Sequence, residues 1–271
     1  MIVTLRDGLR ISVRDIGSDR SAPPLLLLHG FSGSSNSWGE PLLTRLSIGR
    51  RLIAVDLPGH GESDVPSDAR RFAFAAIVAD LADLLDTLEV ATAVWIGYSM
   101  GGRLALGAGL FVPDRVSGLV LESASPGLAA ESERAERRLS DELLARRIES
   151  NEIGVFVNEW EDQPLFRSQR RLATADRAEL RRRRMENRPV ALAACLRGLG
   201  TGMQPSLWSA LEHVSVPTLL LAGHEDPKFV QTNERMFEAL PDARLELVPN
   251  AGHTVHLEQP AAWASAVESF V

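Results

Sequence analysis

The chain has 271 residues, 45% of them hydrophobic and 24% charged, with a formal net charge of -7. That length holds one large α/β domain, or a domain carrying an insertion, and the negative balance argues against nucleic acid as the main partner. No apolar stretch is long enough to span a bilayer and no basic, apolar leader opens the chain, so no membrane partner is expected and the expected location is the cytoplasm.

Residues 2–5 and 9–15 read as two strands around the turn Asp7-Gly8. Pro23 and Pro24 lead into Leu25-Leu26-Leu27-Leu28, a run suited to a strand buried on both faces. It ends in His29-Gly30-Phe31-Ser32-Gly33, a loop able to expose backbone N–H groups to a ligand. A short helix is expected over 37–46 and a buried strand over 51–56, closing on Leu57-Pro58-Gly59-His60-Gly61. Apolar spacing of three and four residues predicts an amphipathic helix over 72–88. Val94-Trp95-Ile96-Gly97-Tyr98-Ser99-Met100-Gly101-Gly102-Arg103 then passes from a strand into a helix-forming stretch, 104–110, and residues 116–121 form a further strand. Strands and helices alternating at this spacing imply a doubly wound, mostly parallel sheet.

The pattern breaks between residues 126 and 205, where arginine outnumbers the acidic residues. Helices are expected over 132–150 and 177–198, joined by 156–160 and 164–166. This is a helical cap insertion (126–205) in a core made of 1–125 and 206–271. Sheet logic resumes with a strand over 216–223, a helix over 230–240 and a strand over 244–248; Ala251-Gly252-His253 and a final helix over 260–271 follow. Cys195 is the only cysteine, so no internal disulfide is possible, and it reads as a small buried side chain.

Gly-x-Ser-x-Gly between a strand and a helix is the pattern of a nucleophile elbow, whose glycines keep Cβ atoms out of a turn too tight for them. A serine hydroxyl becomes reactive when an imidazole takes its proton and a carboxylate orients that imidazole. On such a sheet the partners follow in the order serine, acid, histidine, on loops at the C-terminal ends of strands. Ser99, Asp226 and His253 fit that order; Glu122 is the rival acid and His256 the rival imidazole. The backbone N–H groups of Phe31 and Met100 are the candidate oxyanion hole. Arg103 lies one helical turn beyond Ser99, where it can face the same pocket. His29, His60, His213 and His224 have no metal-ligand spacing, and neither a metal nor a cofactor is expected.

Along its whole length the sequence resembles the α/β-hydrolase fold, through Leu28-His29-Gly30-Phe31, Asp56-Leu57-Pro58-Gly59-His60-Gly61, the elbow, Asp226 and Gly252-His253. Within that superfamily it resembles the 2-succinyl-6-hydroxy-2,4-cyclohexadiene-1-carboxylate synthases of menaquinone (vitamin K2) biosynthesis. The resemblance rests on residues 97–103, Ser125-Pro126-Gly127-Leu128 with Arg134 and Arg137, Trp160, Pro164-Leu165-Phe166, residues 196–202 and 204–208, and Asp226-Pro227-Lys228-Phe229. One departure is His224-Glu225-Asp226 where the family pattern is Gly-Glu-x-Asp, which keeps the acid but is expected to shift its loop. The resemblance implies a lyase that removes a ring proton from a small polyanionic cyclohexene and expels pyruvate from its enolpyruvyl ether. Carboxylates suit arginine's rigid fork. Arg103, Arg137 (with Arg134 as the alternative) and Arg184 are thereby implied to bind substrate, and Tyr98 and Trp160 to line its pocket. The competing expectation is a serine hydrolase, an esterase or C–C hydrolase of a small anionic substrate, using the same triad.

Overall fold

In the computed structural model, which describes residues 1–19 and 21–271, the chain opens with strands β1 (Ile2–Thr4), β2 (Arg10–Ile16) and β3 (Leu25–Leu28). Helix α1 (Glu40–Leu46), β4 (Leu52–Val55), α2 (Phe74–Thr87), β5 (Ala93–Tyr98), α3 (Met100–Phe111) and β6 (Val116–Glu122) follow. Four helices then come without a strand: α4 (Glu131–Ser150), α5 (Ile153–Glu161), α6 (Thr174–Met185) and α7 (Pro189–Leu199). The chain returns through β7 (Thr218–Gly223), α8 (Pro227–Ala239), β8 (Ala243–Val248), the single turn α9 (Val255–Glu258) and α10 (Pro260–Phe270). Among the described residues no helix is long and apolar enough to cross a membrane.

The strands form one eight-stranded sheet in the order β1-β2-β4-β3-β5-β6-β7-β8. The first two strands pair antiparallel with each other, and β2 pairs antiparallel with β4; the remaining pairings are parallel. The leucine run explains the centre of this sheet. Leu26 and Leu28 pack into the core that holds α2, α3 and Met236 of α8. Leu25 and Leu27 pack into the opposite core with α1 and Trp263 of α10. Burial of such a side chain contributes about 1.5–3 kcal/mol, which is why a strand with no polar face belongs in the middle of two helical layers. The order reverses at β3, with β4 on one side and β5 on the other. Parallel sheets open a crevice above the strand ends at such a reversal, and Leu28 stands opposite Gly97 there, so the Gly30 loop and the elbow emerge side by side.

Several boundaries differ from the expectations. The helix expected over 177–198 is two helices, because Pro189 sits in the first turn of α7 and the preceding residue, Arg188, is extended. The helix expected from residue 37 starts at Glu40, since Gly39 takes φ 71° and separates it from a short 3₁₀ turn. Residues 156–160, expected as a connection, belong to α5, and residues 164–166 open a 3₁₀ segment, Pro164–Arg171. Helix α3 begins at Met100, directly after the nucleophile candidate, and α8 begins at Pro227, directly after the acid candidate. The four helices between β6 and β7 have a small core of their own, including Ile148, Phe156, Val157, Leu192 and Leu196.

Candidate active site

Ser99 stands between β5 and α3 with φ 50° and ψ -106°. A non-glycine residue held there carries about 1–3 kcal/mol of strain, and the surroundings must hold it in place. Its N–H donates to the carbonyl of Glu122 on the neighbouring strand at 2.8 Å, and its carbonyl accepts from Arg103 N–H at 3.0 Å. The glycines permit the turn. A Cβ on Gly97 would stand 2.3 Å from the Gly101 carbonyl oxygen, and one on Gly101 would stand 2.1 Å from that of Leu28.

Two loops bring the partners to Ser99. Asp226 caps α8, one carboxylate oxygen accepting from Phe229 N–H, while the other lies 2.7 Å from His253 Nδ1. His253 Nε2 lies 3.1 Å from Ser99 Oγ. With Nδ1–H donating to the carboxylate, Nε2 is left to accept the serine proton. The altered loop His224-Glu225-Asp226 therefore still delivers its acid to the imidazole. The His253 loop is tied by Glu258, whose carboxylate accepts from Gly252 N–H at 2.9 Å and Thr254 N–H at 3.1 Å. The rivals lie elsewhere: His256 Nδ1 is 2.8 Å from Glu122, both are buried, and the two pair with each other.

Phe31 and Met100 line the same cavity as Ser99. Met100 opens α3, where a first-turn N–H has no intrahelical acceptor. The Gly30 loop beside it is braced by a buried histidine. His29 Nδ1–H donates to the Gly30 carbonyl at 2.7 Å, and its Nε2 accepts from Leu57 N–H at 3.0 Å. Burial pushes the His29 pKa down, which keeps it in this neutral form. His60, 5.0 Å from it, is lowered by burial to about 3.

The cavity has a volume of about 760 Å³. Arg103 reaches it from α3, and its guanidinium donates to Gln204 Oε1 and to the Leu199 carbonyl, each at 2.8 Å. Among the described residues no carboxylate lies within ion-pair distance of it, and burial lowers its pKa to about 10. A buried cation met only by neutral acceptors leaves charge to be met by an anion. Gln204 Nε2 is buried beside it without a partner among the described residues.

The chain matches the alpha/beta hydrolase fold family over residues 23–260. It is 45% identical to the putative 2-succinyl-6-hydroxy-2,4-cyclohexadiene-1-carboxylate synthase of Bacillus subtilis (strain 168), over 99% of this chain and 97% of that one. The chain belongs to this family. It is also 36% identical to the 2-succinyl-6-hydroxy-2,4-cyclohexadiene-1-carboxylate synthase of Salmonella typhimurium, over 88% of this chain and 90% of that one. Among solved structures, MenH from S. aureus superposes with a TM-score of 0.91 at 35% identity, covering 95% of this chain and 97% of that one. A thermophilic esterase from Thermogutta terrifontis, solved with malate bound, superposes at 0.85 with 27% identity, covering 99% and 96%.

The other residues that the family resemblance singles out divide into two groups. Arg137 lines the cavity and pairs with Asp141 at 2.7 Å, whereas Arg134 turns back to the carbonyls of Leu128 and Ala129. Tyr98 and Trp160 also line the cavity; Tyr98 OH meets Thr254 Oγ1 at 2.8 Å, and Trp160 packs against Phe31, Phe156 and Phe166. Arg184 departs from expectation. It lines a second cavity of about 370 Å³ and lies over the ring of Phe166, which lines both cavities. Its charge is already met by Glu161 at 3.2 Å, with Gln169 beside it at 3.3 Å. Gln204, Asp141 and Phe229 have site positions that the sequence reading did not assign. Asp141 was legible as an acid four residues after Arg137 on one helix face. Phe229, three residues after Asp226 and 4.7 Å from His253 ring to ring, and Gln204 lie in stretches that carry the resemblance, but the ring and the arginine they meet are set by folding, not by spacing.

Proposed function

We propose that this chain is a lyase of menaquinone biosynthesis that eliminates pyruvate from 2-succinyl-5-enolpyruvyl-6-hydroxy-3-cyclohexene-1-carboxylate, giving 2-succinyl-6-hydroxy-2,4-cyclohexadiene-1-carboxylate. The observation that carries the reading is Arg103: a buried arginine one turn past the serine, without a carboxylate partner among the described residues, on a chain 45% identical over 99% of its length to a putative synthase of this name. A substrate carboxylate supplies the missing counter-charge.

In this reading Ser99 is a base, not an acyl-forming nucleophile. Ser99 Oγ takes the ring proton as its own proton passes to His253 Nε2, and Asp226 steadies the imidazolium. Electrons from the broken C–H bond move into the ring as a dienolate, whose oxygen sits against the Phe31 and Met100 amides. They then form the second ring double bond as the C–O bond to the enolpyruvyl group breaks. His253 returns its proton through Ser99, and the departing enol becomes pyruvate. Arg103 and Arg137 hold carboxylates, Trp160 and Tyr98 bound the ring, and Arg184 assists only where Phe166 gives way to it. The insertion 126–205 acts as a cap over the core of 1–125 and 206–271, and the protein acts in the cytoplasm.

The same triad serves ester or C–C bond hydrolysis, and the similarity to the malate-bound esterase favours an anionic ester as the substrate in that case. Pyruvate release from the enolpyruvyl substrate, measured beside hydrolysis of activated short-chain esters, separates the two. Ser99→Ala is expected to abolish pyruvate release; a variant that still releases pyruvate at the wild-type rate sinks the mechanism.

A further inference from the structure

Glu122 touches both halves of the machinery that surrounds Ser99. It closes β6 fully buried, and its carbonyl accepts the Ser99 N–H at 2.8 Å, holding the strained turn to the sheet. Its carboxylate faces the other way along the same strand end. Oε1 accepts from His256 N–H at 3.1 Å and lies 2.9 Å from His256 Nδ1, while Oε2 lies 2.8 Å from the same nitrogen. His256 is three residues beyond His253, in the turn that follows the histidine loop. The Tyr98 ring is bounded by both imidazoles, 5.4 Å from His253 and 4.9 Å from His256, and Trp38 covers His256 at 4.5 Å. A carboxylate that no solvent reaches is costly unless its oxygens are satisfied. Here one backbone and one ring nitrogen do so, and both belong to the segment carrying the general-base histidine. Packing alone would be met by an apolar side chain, without the cost of burying two titratable groups.

We infer that Glu122 and His256 are a positioning pair for the reaction: one residue bonds the nucleophile's amide through its backbone and the histidine loop through its side chain, fixing the Ser99–His253 distance. The inference rests on the reading of Ser99, His253 and Asp226 as the working triad. Neither residue lines the substrate cavity, so the pair acts on alignment and not on binding. A displacement of about 1 Å at reacting atoms costs on the order of 100-fold in rate.

The test uses Glu122→Gln, Glu122→Met and His256→Phe in the full chain. The readouts are kcat and KM for pyruvate release, thermal melting, and the rate at which a fluorophosphonate labels Ser99. In that labelling the Oγ–P bond forms, fluoride leaves and the serine proton goes to His253. Glutamine keeps an oxygen for the two His256 donors and is expected to stay within about fivefold of wild type, while the Met and Phe variants lose about 100-fold in both kcat and labelling with KM changed by no more than about twofold. Should Glu122→Met fail to fold, His256→Phe carries the test, since it keeps a ring against Trp38 and Tyr98. Folded Met and Phe variants that react within about threefold of wild type overturn the inference. So does a loss that follows the unfolded fraction alone. Wild-type protein that is not labelled at Ser99 takes the triad reading down, and this inference with it.

Discussion

Arg103 and Arg51 are both buried arginines, and their partners separate their roles. Arg51 meets Asp15 through two bonds of 2.9 and 2.7 Å, so its charge is answered inside the protein. Among the described residues Arg103 meets only an amide oxygen and a carbonyl. Arg103→Met removes a buried charge and leaves two acceptors unpaired, effects that offset, so thermal melting is expected to move by only a few degrees, about 1 kcal/mol or less. Activity is expected to fall much further: kcat/KM for pyruvate release drops about 10–100-fold, the worth of one charge-assisted bond to a carboxylate. Arg51→Met should do the reverse, costing about 1–2 kcal/mol of stability with kcat/KM unchanged, the figure kept low because Asp15 is partly solvated. Denaturant melts and steady-state kinetics on both variants decide the matter; equal kinetic losses in the two would remove the case for Arg103 as a substrate ligand.

At the scale of elements, the elbow works because α3 starts against the end of β3. Gly101, in the first turn of α3, lies so close to Leu28 that an added methyl would meet backbone oxygen at 2.1 Å. Backbone at the centre of a sheet has no easy way to yield, so Gly101→Ala should cost more than about 3 kcal/mol. The expected result is poorly folded, inactive protein in circular dichroism and urea titration; a fully folded variant with normal kcat would show that the elbow tolerates a shift of α3. The same strand ends explain why the rival catalytic residues pair with each other. Glu122 ends β6 beside the elbow, and His256 follows the histidine loop, so parallel strands of matched length bring both to one edge. Loop position in the sequence favours Asp226 and leaves Glu122 as its rival. The direction of each side chain told them apart, and α8 supplied it: Asp226 caps that helix and its second oxygen is left for His253.

The whole molecule places two neutral imidazoles beside the Gly30 loop. His29 and His60 are fully buried, and burial lowers both pKa values, that of His60 from 6.5 to about 3. In the unfolded chain both titrate near 6.5 and bind protons that the folded state refuses. Their contribution to stability is therefore complete above pH 6.5 and is lost as pH falls from there towards about 3. Melting temperature should decline through that window, and His60→Phe, which removes one of the two groups, should show a shallower decline. A His60→Phe profile parallel to that of wild type would count against this account. Because His29 braces the Gly30 loop, activity is expected to fall with stability at the acidic end of the window.

Local chemistry was enough for the order of strands and helices outside residues 126–205, the elbow glycines, the serine–acid–histidine order and the arginine one turn beyond the serine. These depend on neighbours in the chain: alternation of apolar runs, the φ that glycine allows, and the 3.6-residue turn. The family resemblance extended that reading to a substrate. Tertiary structure decided what depends on direction and distance between remote segments. It turned Arg137 to the cavity and Arg134 away, seated Arg184 behind Phe166, and gave Arg103 a glutamine in place of an acid. It also joined Glu122 to His256, 134 residues apart, beside the Ser99 turn. No spacing rule reaches across such separations, because side-chain direction there is set by which helices pack on which face of the sheet.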